Sequence, residues 1–159
     1  MSKYDQVINQ AQAAKDEQVS QQNELKRLSD QVKQRHIEAL KKELPGFYQA
    51  LLKTNKWTKK KIYTPFLFLR IPRTIECFDF HDLYLSKDGK YYRRKTKVYE
   101  NRVSVTDTEI NEDQFADAIY TRIAPAWSPK EYLERILKSD IQERAFNYFA
   151  DCIRELNSK

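Results

Sequence analysis

The chain has 159 residues, of which 40% are hydrophobic and 33% are charged, and its formal net charge is +6. This length and composition predict one small domain, with or without an appended helix, and argue against wholesale disorder. Only two glycines are present, so no Gly-rich phosphate-binding loop can be drawn. ATPases, GTPases and Rossmann-type dinucleotide enzymes are thereby excluded at the level of motifs.

Residues 3–44 contain no glycine or proline and are rich in Gln, Ala, Lys, Glu and Leu, which predicts a long helix. Pro45 and Gly46 predict its end, because proline lacks the N–H that a helix interior needs. We therefore expect an extended N-terminal helix over residues 1–45, followed by a single α+β domain over residues 46–159.

The long helix has a weak heptad pattern. Only Leu25, Leu28 and Val32 form a firm apolar seam, whereas a stable coiled coil needs three or four good heptads. Three alternatives stay open: a solvated helix docked at its C-terminal half, a homo-oligomer formed through residues 1–45, and a disordered arm.

After a short amphipathic helix at residues 47–52, the hydrophobic pattern changes from helical to strand-like. Four segments rich in Tyr, Phe, Val, Ile and Thr predict an antiparallel β-meander of about four strands. They are residues 62–71, 74–85, 90–100 and 102–110. Asp88-Gly89 fits a tight hairpin between the second and third of these. Because apolar residues fall on both faces of the first strand, helices should cover part of the sheet.

The last third of the chain predicts a bundle of about three helices. Asn111 with Gln114 is a capping signal, Ser128-Pro129 predicts a second helix start, and Ser139 opens the last helix. The order helix, strands, helices predicts an α+β protein.

Charge is unevenly distributed along the sequence. Residues 53–102 contain 14 Lys or Arg against five Asp or Glu, whereas residues 103–159 contain seven against 11. The basic middle also holds 10 of the 20 aromatic residues. Cations interleaved with aromatic rings are typical of surfaces that bind phosphate backbones and stack on bases.

Two groups in this basic middle are candidates for binding nucleic acid. Alternation along the strand that begins at Lys90 places five side chains on one face. They are Tyr91, Arg93, Lys95, Lys97 and Tyr99. A Lys-rich turn with an indole that we expect to be exposed supplies four more, Trp57, Lys59, Lys60 and Lys61. An unpaired cation is too costly to bury, so this face must be solvated or neutralised by a partner.

We therefore expect a non-catalytic accessory protein that binds nucleic acid, DNA included, largely without sequence preference. The Lys and Arg residues would contact phosphates, and the three aromatic residues would stack on bases. The alternative is a protein–protein adaptor or inhibitor that binds an acidic partner through the basic surface or the N-terminal helix. A row of cations that only keeps a sheet edge soluble is a third interpretation.

No catalytic residue, metal site or cofactor is expected. The chain has no G-x-S-x-G nucleophile motif. Cys77, Asp79 and His81 alternate on one predicted strand, but zinc usually takes four ligands and the sequence offers no clear fourth.

The sequence predicts a cytoplasmic protein. We find no signal-peptide pattern, and the most apolar run, PFLFLRI at residues 65–71, is far shorter than the roughly 20 residues that span a bilayer. No membrane partner is therefore expected. Two distant cysteines, Cys77 and Cys152, are interpreted as reduced thiols.

Overall fold

The computed structural model describes residues 2–125 and 127–159, which form one long helix, five strands and three further helices. In chain order the elements are α1 (Lys3–Thr54), β1 (Thr58–Phe66), β2 (Leu69–Asp79), β3 (Leu83–Ser86), β4 (Tyr91–Tyr99), β5 (Arg102–Ile110), α2 (Glu112–Ile123), α3 (Lys130–Lys138) and α4 (Ile141–Asn157). The predicted α+β class is confirmed, with the long helix first, one antiparallel sheet next and the remaining helices last.

Helix α1 does not end at Pro45, which corrects the sequence prediction. It continues to Thr54 and includes the segment predicted as a separate short helix. A proline in a helix interior costs about 3 kcal/mol, because one hydrogen bond is lost and the ring crowds the preceding turn. The turns around it are anchored by fully or nearly fully buried side chains, Leu40, Leu44, Phe47 and Leu51. Each such burial contributes about 1.5–3 kcal/mol, which outweighs the defect.

The sheet is a meander in the order β1-β2-β3-β4-β5, with one strand more than predicted. The predicted strand over residues 62–71 contains the turn between β1 and β2, and the one over residues 74–85 is interrupted between β2 and β3. Neither turn has a glycine. Leu67 and His81 instead adopt positive φ angles of 54° and 71°, so the sequence carried no turn signal at either place.

The sequence predicted N-terminal capping residues for α2 and α3, and the structure confirms the first and corrects the second. Asn111 and Gln114 form the predicted capping box at α2: the Gln114 N–H donates to the Asn111 side chain at 2.8 Å, and the Asn111 N–H donates back at 3.0 Å. Helix α3 begins one residue later than predicted. Its N-cap is Pro129 and not Ser128, and no side chain caps it.

The described chain divides into two compact units. The first comprises α1 up to Arg35 together with residues 125–141, and the second comprises residues 36–124 and 142–159. Helix α1 contributes to both units. The whole sheet belongs to the second, which therefore contains both groups of predicted site residues.

Within the first unit, α3 is fastened to α1 near both of its ends. Lys130 forms an ion pair with Glu24 at 3.2 Å, and the Arg35 guanidinium donates to the carbonyl of Leu137 at 3.1 Å. The buried apolar side chains of this unit come from both helices and include Leu28, Val32, Leu133 and Ile136. The predicted coiled-coil seam is therefore occupied by the chain's own α3, an arrangement that corresponds to the docked-helix alternative.

In the second unit, helices cover the sheet through a cluster of aromatic rings. The ring of Phe47 on α1 lies 5.4 Å from that of Phe78, 5.8 Å from that of Phe80 and 4.7 Å from that of Phe149 on α4. Phe115 on α2 lies 5.4 Å from Phe80. Several of these pairs meet edge to face, the arrangement that ring quadrupoles favour. We call the sheet face covered by this cluster the outer face.

The opposite face of the sheet, the inner face, is buried without a second layer. It carries the buried cluster Ile62, Cys77, Tyr84 and Tyr92. Burial is possible because the sheet curls until its two edge strands, β1 and β5, approach each other. The inner face thus becomes the inside of a small roll.

A buried ion pair joins the two edges of this roll. The Arg94 guanidinium on β4 donates to both carboxylate oxygens of Asp107 on β5, at 2.8 and 3.0 Å, and to the carbonyl of Lys61 on β1 at 3.0 Å. Asp107, which is 0% exposed, also accepts the N–H of Tyr63 at 2.8 Å. The hydrogen bond to Asp107 raises the pKa of Arg94, so this cation is held in its charged form. The Tyr63 N–H and the Lys61 carbonyl lie on the edge of β1 and could otherwise pair with another strand. Here they are hydrogen-bonded to Asp107 and Arg94 instead.

The ion pair between Arg94 and Asp107 predicts that Asp107→Ala strongly lowers the stability of the protein. Removing one partner of a buried ion pair leaves the other charge without compensation, so the free energy of unfolding should fall by about 3–5 kcal/mol in urea denaturation. Glu109→Ala, on the same strand but exposed, is the control and should change stability by less than about 0.5 kcal/mol. A loss below about 1 kcal/mol for Asp107→Ala would show that the ion pair does not hold the roll closed.

Candidate nucleic-acid interface

Four of the five predicted residues on β4 lie exposed on the outer face. The register with β5 pairs Arg93 with Thr108, Lys95 with Thr106 and Lys97 with Ser104, which places these cations beside a row of small hydroxyl side chains. Tyr99 is 47% exposed at the end of the strand, with the Arg102 guanidinium 5.1 Å from its ring centroid. Arg94, the residue between Arg93 and Lys95, points to the inner face and forms the ion pair with Asp107.

Tyr91, the fifth predicted residue of this strand, is not available to a ligand. Its ring lies 4.5 Å from that of Phe115, because α2 covers the beginning of β4. Burial raises the pKa of Tyr91 to about 12. Its role in the structure is to pack a helix onto the sheet, and stacking on a base would require that packing to open.

The Lys-rich segment is divided between the two faces by strand alternation. Lys59 and Lys61 are exposed on the outer face, whereas Lys60 lies on the inner face. Lys60 forms an ion pair with Asp79 at 2.5 Å, and its Nζ lies 4.7 Å from the centroid of the Tyr84 ring. Burial is the largest single effect and disfavours the charged amine, but the hydrogen bond to Asp79, the charge of Asp79 and the Tyr84 hydroxyl together outweigh it and raise the pKa of Lys60. This cation is part of the inner core and not of a binding surface.

Trp57 is also less accessible than the sequence indicated. The residue is half-buried, and its Nε1 has no solvent exposure and no hydrogen-bond partner among the described residues. The Trp57 indole is therefore not an exposed ring ready to stack on a base.

Two residues that sequence reasoning missed connect the Lys-rich segment to β4. The ring of Tyr63 lies between two cations, with Lys61 Nζ 5.8 Å and the Arg70 guanidinium 6.0 Å from its centroid. Arg70 in turn donates to the hydroxyl of Ser104 at 2.8 Å, and Ser104 is the cross-strand partner of Lys97. The outer face thus carries one continuous surface of cations and rings, which we call the basic strip. It comprises Lys59, Lys61, Tyr63, Arg70, Arg93, Lys95, Lys97, Tyr99 and Arg102.

The cations of the basic strip are not neutralised by the chain's own acidic residues. Among the residues that the structure describes, Lys59, Lys61, Arg93, Lys95 and Lys97 form no ion pair with a carboxylate. Of the β4 cations only Arg94 pairs with the acidic C-terminal third, through Asp107. The outward charge of β4 is therefore available to a polyanion.

Cys77, Asp79 and His81 alternate along the sequence, and the structure shows where the three side chains lie. Within the described part of the chain, no group of three or more His, Cys, Asp or Glu is placed to hold a metal ion. Cys77, Asp79 and His81 do line one cavity of about 320 Å³, together with Cys152. Burial raises the pKa of the Cys77 and Cys152 thiols to about 11, so both are protonated and weakly nucleophilic near neutral pH.

Comparison of the chain with protein-family models, with curated proteins and with solved structures finds no significant match. What the basic strip binds therefore has to follow from its own geometry and charge. Across the described residues, no helix combines the length and the apolar character that crossing a bilayer requires.

The raised thiol pKa values predict a loss of stability at high pH. A thiol whose pKa is about 11 when folded and near 9.0 when unfolded holds its proton longer in the folded state, so stability falls as pH rises through that window. Urea denaturation at pH 8, 9, 10 and 11 should show this decline. In Cys77→Ala/Cys152→Ala the decline between pH 9 and 10 should be smaller, whatever the variant's stability at pH 8. If the free energy of unfolding of this variant fell as steeply between pH 9 and 10 as that of the native chain, the two thiols would not be the cause of the decline.

Proposed function

We propose that this protein binds nucleic acid, largely without sequence preference, through the basic strip, and that it has no catalytic role. The observation that carries the proposal is the continuity of the strip. Contacts from Lys61 through Tyr63, Arg70 and Ser104 join the two predicted groups of residues into one surface.

The strip has the chemistry that a phosphate backbone requires. Each cation that neutralises a phosphate releases about one condensed counterion, which favours binding and makes the affinity strongly dependent on salt. Arg93, Lys95 and Lys97 succeed each other on one side of β4, so they are spaced by about 7 Å along the strand. A row of three cations can neutralise about three phosphates, at roughly one phosphate per cation.

Two rings in the strip supply faces for stacking. Tyr99 is exposed beside Arg102, and Tyr63 lies between Lys61 and Arg70. Every base has a π-face, so stacking on such rings tolerates any sequence. Tyr99 therefore takes the stacking role that the sequence assigned to Trp57 and Tyr91, and Tyr63, half-buried beside its two cations, contributes a smaller ring surface.

Charge reversal on β4 tests the proposal. Arg93→Glu/Lys95→Glu/Lys97→Glu should weaken binding to single- and double-stranded DNA and RNA more than tenfold at 0.1 M salt. The slope of log affinity against log salt should become shallower by about three units on duplex DNA and by about two units on single strands, for three lost phosphate contacts. Fluorescence anisotropy at two or more salt concentrations measures both quantities.

The matched control places the same change of net charge on helices. Lys42→Glu/Lys53→Glu/Arg144→Glu alters three exposed cations outside the strip and should retain most of the affinity. Circular dichroism checks that both variants are folded. If the native chain does not bind nucleic acid at 50 mM salt, or if the two triple variants bind equally well, the proposal fails.

The alternative function, an adaptor or inhibitor that binds an acidic protein, rests on the same unpaired cations. A protein partner would place carboxylates at fixed points, whereas a nucleic acid presents a regular line of phosphates. The salt titration tests nucleic acid first: if the native chain does not bind it at low salt, an acidic protein partner and a merely solvated row of cations remain as the two interpretations. The free cysteines are compatible with a cytoplasmic location, which we include in the proposal.

Self-association through α1 is a further part of the proposal, now confined to its beginning. Every described residue up to Glu24 is exposed, and Tyr4, Val7 and Ile8 present one apolar stripe, with exposures of 81%, 61% and 64%. Tyr4→Ser/Val7→Asn/Ile8→Ser should reduce the mass measured by light scattering to that of a monomer. A native chain that is already monomeric at 100 μM would contradict this part.

A further inference from the structure

The turn between β1 and β2 presents large apolar side chains to solvent. Phe66, Leu67, Phe68 and Leu69 are 59%, 80%, 93% and 64% exposed. Single exposed apolar residues are normal, but four in succession at the end of a hairpin are not, and such patches mark interaction sites.

The residues of the β1–β2 turn do not favour the backbone conformation that the turn adopts. Leu67 has a φ of 54°, in the left-handed region where Gly, Asn and Asp are the usual residues. A bulky Leu in this conformation is strained, and it is also solvated. Both costs are offset if the side chain is buried in a partner.

A second hairpin end extends the apolar surface. Arg70 donates to the carbonyl of Val105 at 2.7 Å, which places the β1–β2 turn beside β5. At this end of the roll the inner face carries Ile71, Val98 and Val103, which are 45%, 78% and 62% exposed. We call these three residues together with Phe66–Leu69 the apolar tip.

The β1–β2 side of the apolar tip carries charge of one sign, whereas the β4–β5 turn carries Glu100 next to Arg102. No Asp or Glu occurs between Glu43 and Glu76, so the β1–β2 hairpin has no acidic residue from Thr58 to Ile75. Between these positions the hairpin carries Lys60, which is paired with Asp79 on the inner face, and four further cations, Lys59, Lys61, Arg70 and Arg73.

We propose that the apolar tip docks on the surface of an anionic phospholipid bilayer. A protruding apolar end that is flanked by cations can enter the boundary between headgroups and acyl chains to a depth of about 5–10 Å, while the cations meet the anionic headgroups. Docking on one leaflet needs no membrane-spanning segment, so the short run at residues 65–71 suffices. This departs from the sequence-based expectation of no membrane partner.

Other occupants fit the apolar tip less well. A second copy would bring together two hairpins that each carry Lys59, Lys61, Arg70 and Arg73, and like charges at an interface oppose association. A kinked nucleic acid accepts one or two wedge side chains at a base step, whereas the apolar tip exposes seven. The lipid proposal does not rest on nucleic-acid binding by the basic strip, and the two can fail separately.

The decisive variant removes the apolar character but keeps the turn. In Leu67→Asn/Phe68→Ser, Asn accepts the positive φ more readily than Leu, so the hairpin should form at least as well. Trp127→Ser/Phe146→Ser is the control, because it removes two large side chains that are 76% and 54% exposed elsewhere. Binding of the full chain is measured by co-sedimentation with phosphatidylcholine vesicles that contain either no phosphatidylserine or 30 mol% of it, at about 0.1 M salt.

We expect the native chain to bind the phosphatidylserine vesicles at least tenfold more strongly than the pure phosphatidylcholine vesicles. Leu67→Asn/Phe68→Ser should lower that binding at least tenfold, and the control variant should not change it. Absence of vesicle binding by the native chain, or equal binding by Leu67→Asn/Phe68→Ser, overturns the proposal. If vesicles are not bound but this variant loses DNA affinity or dimerisation, the apolar tip is a nucleic-acid wedge or a self-association surface instead.

Discussion

The buried ion pair between Arg94 and Asp107 is the constraint on which the rest of the second unit depends. These two side chains pair with backbone groups of Lys61 and Tyr63, so the curled sheet closes without a continuous ladder between its edges. Closure buries the inner cluster around Tyr84 and turns the remaining cations of β4 and β1 outward. It also leaves one end of the roll open, and the exposed apolar side chains of both hairpins lie at that end.

The basic middle of the chain therefore has two physically different uses. Lys60 and Arg94 are internal: each meets a carboxylate, and each lies about 5 Å from the Tyr84 ring, where cation–π attraction adds to the ion pair. Their immediate neighbours along the same strands point outward and meet no carboxylate among the described residues. Side chains alternate between the two faces of a strand. A continuous run of cations in the sequence is therefore divided into cations that form internal ion pairs and cations that face solvent.

The proposed surfaces use complementary parts of the same roll. The basic strip is polar, broad and on the outer face, which suits a flexible polyanion bound by charge and stacking. The apolar tip exposes seven apolar side chains, which suits a medium that can deform around them. Arg70 links them, since its guanidinium lies against Tyr63 of the strip and holds the hairpin end to β5. Phosphate groups are the ligand chemistry that the two proposals have in common.

Local sequence determined the features that depend on neighbouring residues alone. The α+β order, the capping box at Asn111 and the outward alternation of Arg93, Lys95 and Lys97 all follow from period, capping chemistry and charge. Tertiary structure decided the features that depend on distant residues. Burial of four side chains carried α1 through Pro45, α2 covered Tyr91, and Asp79 and Asp107 withdrew Lys60 and Arg94 from the surface. Tyr63 and Arg70 joined the basic strip only because the sheet curls, and curling requires a pairing between strands that no local pattern encodes.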